Sequence, residues 1–296
     1  MPSLRLYYSA LVVVQIIFGL NFTASKYIVE RIDPLMWAQM RFLVSSLLLL
    51  GFALFKRRKW IGRVDKNFFF KLILFSCLGF LLPQVLLLKG LTLTSSIHSS
   101  VITSFGPIFV LLIVYFKGLE AMHPIKFFGM FISFLGLILM QDLGQFALDS
   151  SLLWGDLLVL FGSLAFSLYL SFAKDFLMEY DHLWMTGLMF FVSQLLLIPF
   201  NCSSYDQLFH FQWSGEVFIA AFYSVVFATF LTYLLSNWLL TKIPSANIAL
   251  FLYLQPLVAT AAGVLILGES LELLTVMCAT LVFIGLIINV KVDEGL

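Results

Sequence analysis

The chain has 296 residues, 61% hydrophobic and only 11% charged, with a formal net charge of +1. Water-soluble domains run at roughly 45–50% apolar and about 25% charged, so this composition excludes a water-soluble globule and makes lipid the solvent. The near-zero charge gives no footing for a nucleic acid or another acidic polymer, and apolar runs that are continuous rather than alternating exclude a β-barrel.

Ten runs are long enough to cross a bilayer, which takes about 20 residues of helix. In chain order they lie at roughly 6–28, 35–55, 68–88, 95–116, 124–141, 154–173, 182–200, 215–238, 245–267 and 271–290. The first follows Arg5 and continues to about Ala24 without a small-x-small cleavage pattern, so it is expected to remain as a span. The linkers are short and leave no room for a soluble domain. Cys77, Cys202 and Cys278 are scattered and make neither a disulfide framework nor a metal site. Without a nucleotide-binding Gly-Lys motif, no cofactor and no ATP drive are expected.

Lysine and arginine set the orientation. With the N-terminus inside, the inner side receives Arg5, the run from Lys56 to Lys71, and Lys117, Lys126, Lys174, Lys242 and Lys291. The other side receives Lys26, Arg31 and Lys89, together with most of the loop carboxylates. Both termini are therefore expected in the cytoplasm, with the chain in the inner (plasma) membrane.

A stretch of the chain is written twice. Ser96, Pro107, Glu120, Phe134, Gly136, Leu137 and Ile138 recur as Ser245, Pro256, Glu269, Phe283, Gly285, Leu286 and Ile287 at a constant offset of 149. Lys26, Asp33, Leu35 and Phe42 match Lys174, Asp181, Leu183 and Phe190 at 148. The halves are then 1–148 and 149–296, with five spans each. An odd number of spans turns the second copy upside down. The expected fold is an all-α integral membrane protein: ten transmembrane helices as two inverted five-helix repeats around a central cavity.

The segments FGLNFTASK (18–26), DPLMWAQMRF (33–42), SSIHSSVITSFGPIFVLLIVYFKGLE (95–120) and PSANIALFLYLQPLVATAAGVLILGE (244–269) carry a resemblance. The chain resembles the drug/metabolite transporter superfamily, in particular its EamA-type ten-helix exporters. The pattern is a small-residue helix start, a proline about eleven residues on, and a Gly-Glu near the following loop. The second copy keeps Gly268-Glu269, while the first has Gly118-Leu119-Glu120. The chain has Phe18-Gly19 where the family often has Trp-Gly. The resemblance implies membrane transport of amino acids, other metabolites or drugs.

Polar groups inside spans are costly and point to function. Pro107 and Pro256 kink their helices and free carbonyls, either as hinges or as prolines merely tolerated in lipid. Thr103 shares a helical stripe with Ser96, Ser100 and Pro107, which either lines a pathway or lets helices approach closely. His98 either binds substrate or makes an interfacial hydrogen bond. Thr229, Tyr233 and Asn237 form a stripe in the eighth span, and Tyr233 is the counterpart of Gln84 beside Pro83. Gln15 and Asn21 in the first span, Tyr169 as the partner of Asn21, and Tyr253 and Gln255 flanking Pro256 complete an aromatic and amide-lined set. It suits a small polar or zwitterionic molecule. Arg41, one turn from Trp37, pairs with an anionic group, snorkels to the interface or anchors the structure, as the resemblance favours. Glu120 and Glu269 precede helix starts and are expected to stabilise loops.

No acidic residue falls clearly mid-span, since Asp156 is near the start of the sixth. This suggests export down the substrate's own gradient rather than proton coupling. The expected function is a secondary transporter exporting small metabolites by alternating access, amino acids or amino-acid-like compounds foremost, with other metabolites or drugs as the alternative and import less favoured. Its partners are the small-molecule substrate and membrane lipids, as a monomer or a homo-oligomer. A channel, a receptor or an intramembrane enzyme are the other classes; the last needs an Asp pair, a His-rich metal set or a nucleophile with its base, and the chain offers none.

Overall fold

The computed structural model describes residues 4–57, 64–94, 96–119, 123–139, 150–201, 213–267 and 273–294. Every element among them is helical: α1 (Leu4–Val29), α2 (Pro34–Phe55), α3 (Lys66–Ser76), α4 (Leu82–Leu93), α5 (Ser96–Thr103), α6 (Gly106–Lys117), α7 (Pro124–Leu139), α8 (Ser150–Glu179), α9 (His182–Asn201), α10 (Gly215–Phe222), α11 (Thr232–Leu240), α12 (Ser245–Leu250), α13 (Leu254–Leu267) and α14 (Leu273–Glu294). A π turn, Cys77–Leu81, joins α3 to α4, a longer π segment, Tyr223–Leu231, joins α10 to α11, and a 3-10 turn, Phe251–Tyr253, joins α12 to α13.

Eight helical stretches are long and apolar enough to cross a membrane, at the first four and the sixth to ninth predicted positions. At the fifth and tenth, α7 and α14 carry shorter apolar stretches, Pro124–Gly136 and Thr280–Asn289. Large apolar side chains such as Phe116, Phe161, Phe200 and Ile219 point outward, as lipid contact requires. Inside, α2 packs on α9, α4 on α8, α1 on α13 and α7 on α14.

Helix ends are closed by side chains in a matched way. The carboxylate of Asp33 accepts from the Leu35 and Met36 N–H groups at the start of α2, and Asp181 accepts from Leu183 and Trp184 at the start of α9. At the other polarity, Lys26 Nζ donates to the carbonyls of Leu91 and Thr94 at 2.6 and 3.1 Å. Lys174 Nζ donates to that of Ile243 at 3.4 Å. A cation at a helix C-terminus complements the partial negative charge there. The Lys26 contact helps α4 to persist to Leu93, beyond the end at 88 expected from the apolar run.

Pro107 and Pro256 stand at breaks in their helices, in keeping with their missing N–H. The fourth span divides into α5 and α6 just before Pro107. The Thr103 carbonyl, four residues earlier, instead accepts from Ser163 Oγ at 3.2 Å, and the Gly106 carbonyl accepts from Ser167 Oγ at 3.1 Å. Before Pro256 the α-helix gives way to the 3-10 turn.

Glycines let α7 and α14 approach closely. A side chain on Gly285 would strike the Gly129 carbonyl and Ser133 Oγ. Ser133 Oγ donates to the Val282 carbonyl at 3.1 Å across the same contact. Gly285→Ala should therefore destabilise by about 1–3 kcal/mol through overpacking, seen as a lower thermal midpoint in detergent. Gly51→Ala, with no neighbouring atom within 4 Å, should leave the midpoint unchanged or slightly higher.

Candidate functional site

A cavity opens between the helices, with about 670 Å³ of space when its mouth is included. Phe18, Asn21 and Phe22 of α1 form one wall; Pro83, Gln84 and Leu87 of α4 form another. Val159, Gly162, Ser163 and Phe166 of α8 face them, and Thr103, Tyr233, Leu252 and Gln255 complete the lining. A few convergent polar groups in a mostly apolar hollow is the usual composition of a small-molecule site. Among its described lining residues none is acidic or basic.

Gln84 Nε2 donates to the Tyr233 hydroxyl at 2.9 Å, and Gln84 Oε1 has no protein partner. The Tyr233 ring is held edge-on by Phe18 and Phe190 at centroid distances of 5.8 and 5.1 Å, and by a tilted Phe80 at 5.0 Å. Gln255 Nε2 donates to Gln15 Oε1 at 2.6 Å, so Gln15 supports the lining from behind. Asn21 Oδ1 accepts from Ser224 Oγ at 2.6 Å, with the donor in the π segment. Each π segment ends two residues before a lining residue, Pro83 in one case and Tyr233 in the other.

Of the residues expected to bind substrate, the structure brings Asn21, Gln84, Thr103, Tyr233 and Gln255 onto the lining, with Gln15 adjacent. Tyr169 and Asn237 instead form a buried chain: the Tyr169 hydroxyl donates to Asn237 Oδ1 at 2.7 Å, and Asn237 Nδ2 donates to Thr186 Oγ1 at 2.8 Å. Tyr253 is wholly buried, its hydroxyl unpartnered. His98 lies in α5, but its side chain is outside the described residues, as are Glu120 and Glu269. Pro107 and Pro256 stand at the helix breaks.

Arg41 departs from the snorkelling alternative. Its side chain is 1% exposed, and Nε and Nη2 both donate to Thr229 Oγ1 at 3.1 and 2.8 Å. That hydroxyl sits in the π segment and draws the guanidinium inward. Trp37 lies beneath it, 5.9 Å from ring centroid to guanidinium carbon. Thr229 thus serves Arg41 and does not line the cavity.

Phe22, Ser163 and Phe166 line the cavity without having stood out in the sequence. A signal for Phe166 was available: it follows Phe18 by 148 residues, the spacing of the Lys26 and Lys174 match. Asp156, three residues before Val159 on α8, keeps one carboxylate oxygen buried and unpartnered. Its place near the start of its span hides it from a search for mid-span acids.

The model of the EamA-like transporter family matches this chain twice, over residues 5–141 and 153–291. An uncharacterized transporter of Archaeoglobus fulgidus is 30% identical over 281 residues, covering 93% of this chain and 95% of that protein. The uncharacterized transporter YoaV of Bacillus subtilis is 24% identical over 276 residues, covering 93% and 94%. A crystal structure with 12% identity superposes with a TM-score of 0.77 over 98% of this chain and 96% of the other, a likeness of fold alone. The chain belongs to the EamA-like transporter family, within the drug/metabolite transporter superfamily, and is a multi-pass membrane transporter.

Proposed function

We propose that this protein is a secondary transporter, not an enzyme, that exports small metabolites by alternating access, amino acids or amino-acid-like compounds foremost. Its two halves, 1–148 and 149–296, are inverted five-helix repeats, and the cavity between them is the substrate site. It lies in the inner membrane with both termini in the cytoplasm, and export runs down the substrate's own gradient.

The observation that carries this is the Gln84–Tyr233 hydrogen bond. Its partners are 149 positions apart, the spacing at which the sequence repeats. In a two-fold arrangement a residue touches its own counterpart only on the axis. Both partners line the cavity, which supports an axis through the cavity. The Ser133–Val282 bond also joins residues 149 apart and supports a second point on that axis. The paired caps at Asp33 and Asp181, the paired lysine contacts and the two π segments fit the same relation.

Access from one side at a time would suit a carrier. Phe22, Leu87 and Val159 line the cavity, each in the half of its span nearer the end that the lysine and arginine bias assigns to the outside. Toward the inner end, Gln15 bonds Gln255, Tyr8 stacks on Phe251 at 5.5 Å, and Tyr7 meets Trp238 edge-on at 5.5 Å. Ser245 to Tyr253 are buried throughout. These contacts support the reading of an outward-facing state, in which the inner seal would part for loading.

Counterflow in proteoliposomes tests the proposal. Labelled amino acid should accumulate against an unlabelled internal pool, saturably, and a protonophore should leave the rate within about twofold. Gln84→Ala and Tyr233→Phe should each lower the rate about 5- to 10-fold by removing a polar contact for substrate from the cavity wall, at normal yield and a normal elution profile. A linear, unsaturable flux would mark a pore instead. In a second test, Tyr8→Cys with Phe251→Cys, joined by a bifunctional methanethiosulfonate linker, should lose exchange, and reduction should restore it. Exchange that continues through the cross-linked protein would show that this seal does not move.

A further inference from the structure

One face of α2 carries a set of donors that the fold does not use. Trp37, Arg41 and Ser45 follow at intervals of four, so they lie above one another on that helix. Each is at most 1% exposed. Trp37 Nε1, Arg41 Nη1 and Ser45 Oγ are all buried without a hydrogen-bond partner. Thr229, which takes the other two Arg41 contacts, already donates its own proton to the Ser224 carbonyl at 2.6 Å. It brings no negative charge. No ion pair to Arg41 is found among the described residues.

A guanidinium away from water with neither counter-charge nor full hydrogen bonding is strongly disfavoured. The fold itself does not require it. At the matching depth of the other half the spacing of 148 puts Met189, and at the position matching Thr229 the spacing of 149 puts Phe80. Both are fully buried members of the apolar core. The same slots are therefore filled without charge in one half and with an unpaired cation in the other.

We propose that this face of α2 binds the carboxylate of the transported molecule; the inference rests on the transporter reading above. Arginine and tryptophan nitrogens only donate, and the serine hydroxyl can donate as well. The Tyr233 hydroxyl accepts from Gln84, which leaves its proton to give. The unmet need is for a negatively charged, acceptor-rich group, and a planar carboxylate matches the guanidinium fork. Tyr233 lines the cavity, four residues along the chain from Thr229, whose hydroxyl Arg41 contacts. Parting of the Gln84–Tyr233 bond admits the carboxylate to Arg41. A cationic drug finds no acidic group among the described lining residues, and Asp156 is the acid next along α8.

The test uses the full-length protein in proteoliposomes and a panel of compounds rather than one chosen substrate. Each common L-amino acid is compared in counterflow with its carboxamide and its decarboxylated amine. The acid should be exchanged at least about tenfold faster than either analogue. Arg41→Gln should lower exchange of the acid about 10- to 100-fold and narrow the gap between acid and amide, Arg41→Lys should fall between, and Thr229→Val should raise the half-saturating concentration of the acid a few-fold. Amide or amine moving as fast as the acid in the wild-type protein overturns the inference while leaving the transporter reading intact. So does wild-type exchange of the acid by folded Arg41→Gln, or a response to chloride alone with no preference for the acid. If no compound in the panel exchanges, the amino-acid-like reading and the inference fall together. The wild-type comparison of acid and amide decides even if the Arg41 variants fail to fold.

Discussion

In hydrocarbon a polar atom cannot turn to water, so every freed backbone group must find a partner inside the bundle. Much of this molecule is arranged around that demand. The Thr103 carbonyl released by Pro107 is taken by Ser163. The last carbonyls of α4 are taken by Lys26, and Ile243, just beyond α11, by Lys174. Against this thrift, unmet polar atoms stand out. Gln84, a residue of the cavity wall, holds its Oε1 buried and unpartnered, and Trp37, Arg41 and Ser45 hold three more along α2. Tyr253 and Asn289 hold others elsewhere in the bundle.

The two proposed halves share a layout but not a chemistry. Asn21 bonds Ser224, whereas the counterparts Tyr169 and Phe75 meet as rings 6.1 Å apart. Arg41 and Thr229 are polar where Met189 and Phe80 are apolar. Gln84 and Tyr233 meet on the proposed axis as an amide and a phenol. In the proposed carrier, two related walls enclose the hollow and their divergence makes it selective. An amide, a phenol and phenyl rings would hold the apolar and neutral parts of a ligand, and Arg41 would orient its charge.

Much of the helical layout was legible in the sequence because long apolar runs have few other uses. The Lys-Asp match and the two prolines also announced features that the structure contains: caps at Asp33 and Asp181 and breaks before Pro107 and Pro256. The cavity was harder. Gln84 and Tyr233 stood out as polar residues at a shared spacing, and they do face the hollow. Tyr169 and Asn237 looked equivalent to them, yet they satisfy one another and Thr186 in a closed chain. Helical periodicity gives the face of a residue but not the rotation of that helix against its neighbours. The π segments shift that rotation, and nothing in the residues Tyr223 to Leu231 advertised one. The aromatic walls were hidden for a different reason: with 33 phenylalanines in the chain, Phe18 and Phe166 look like lipid contacts until the helices are assembled.

The central claim is that one cavity serves both sides of the membrane in turn. With Cys77, Cys202 and Cys278 replaced, a single Thr103→Cys on the cavity wall can be probed by a membrane-impermeant maleimide from either face of oriented vesicles. Labelling should occur from both faces, at rates whose ratio shifts as substrate is added to one side, and never fast from both at once. Labelling from one face only, whatever the substrate and however long the exposure, would contradict alternating access.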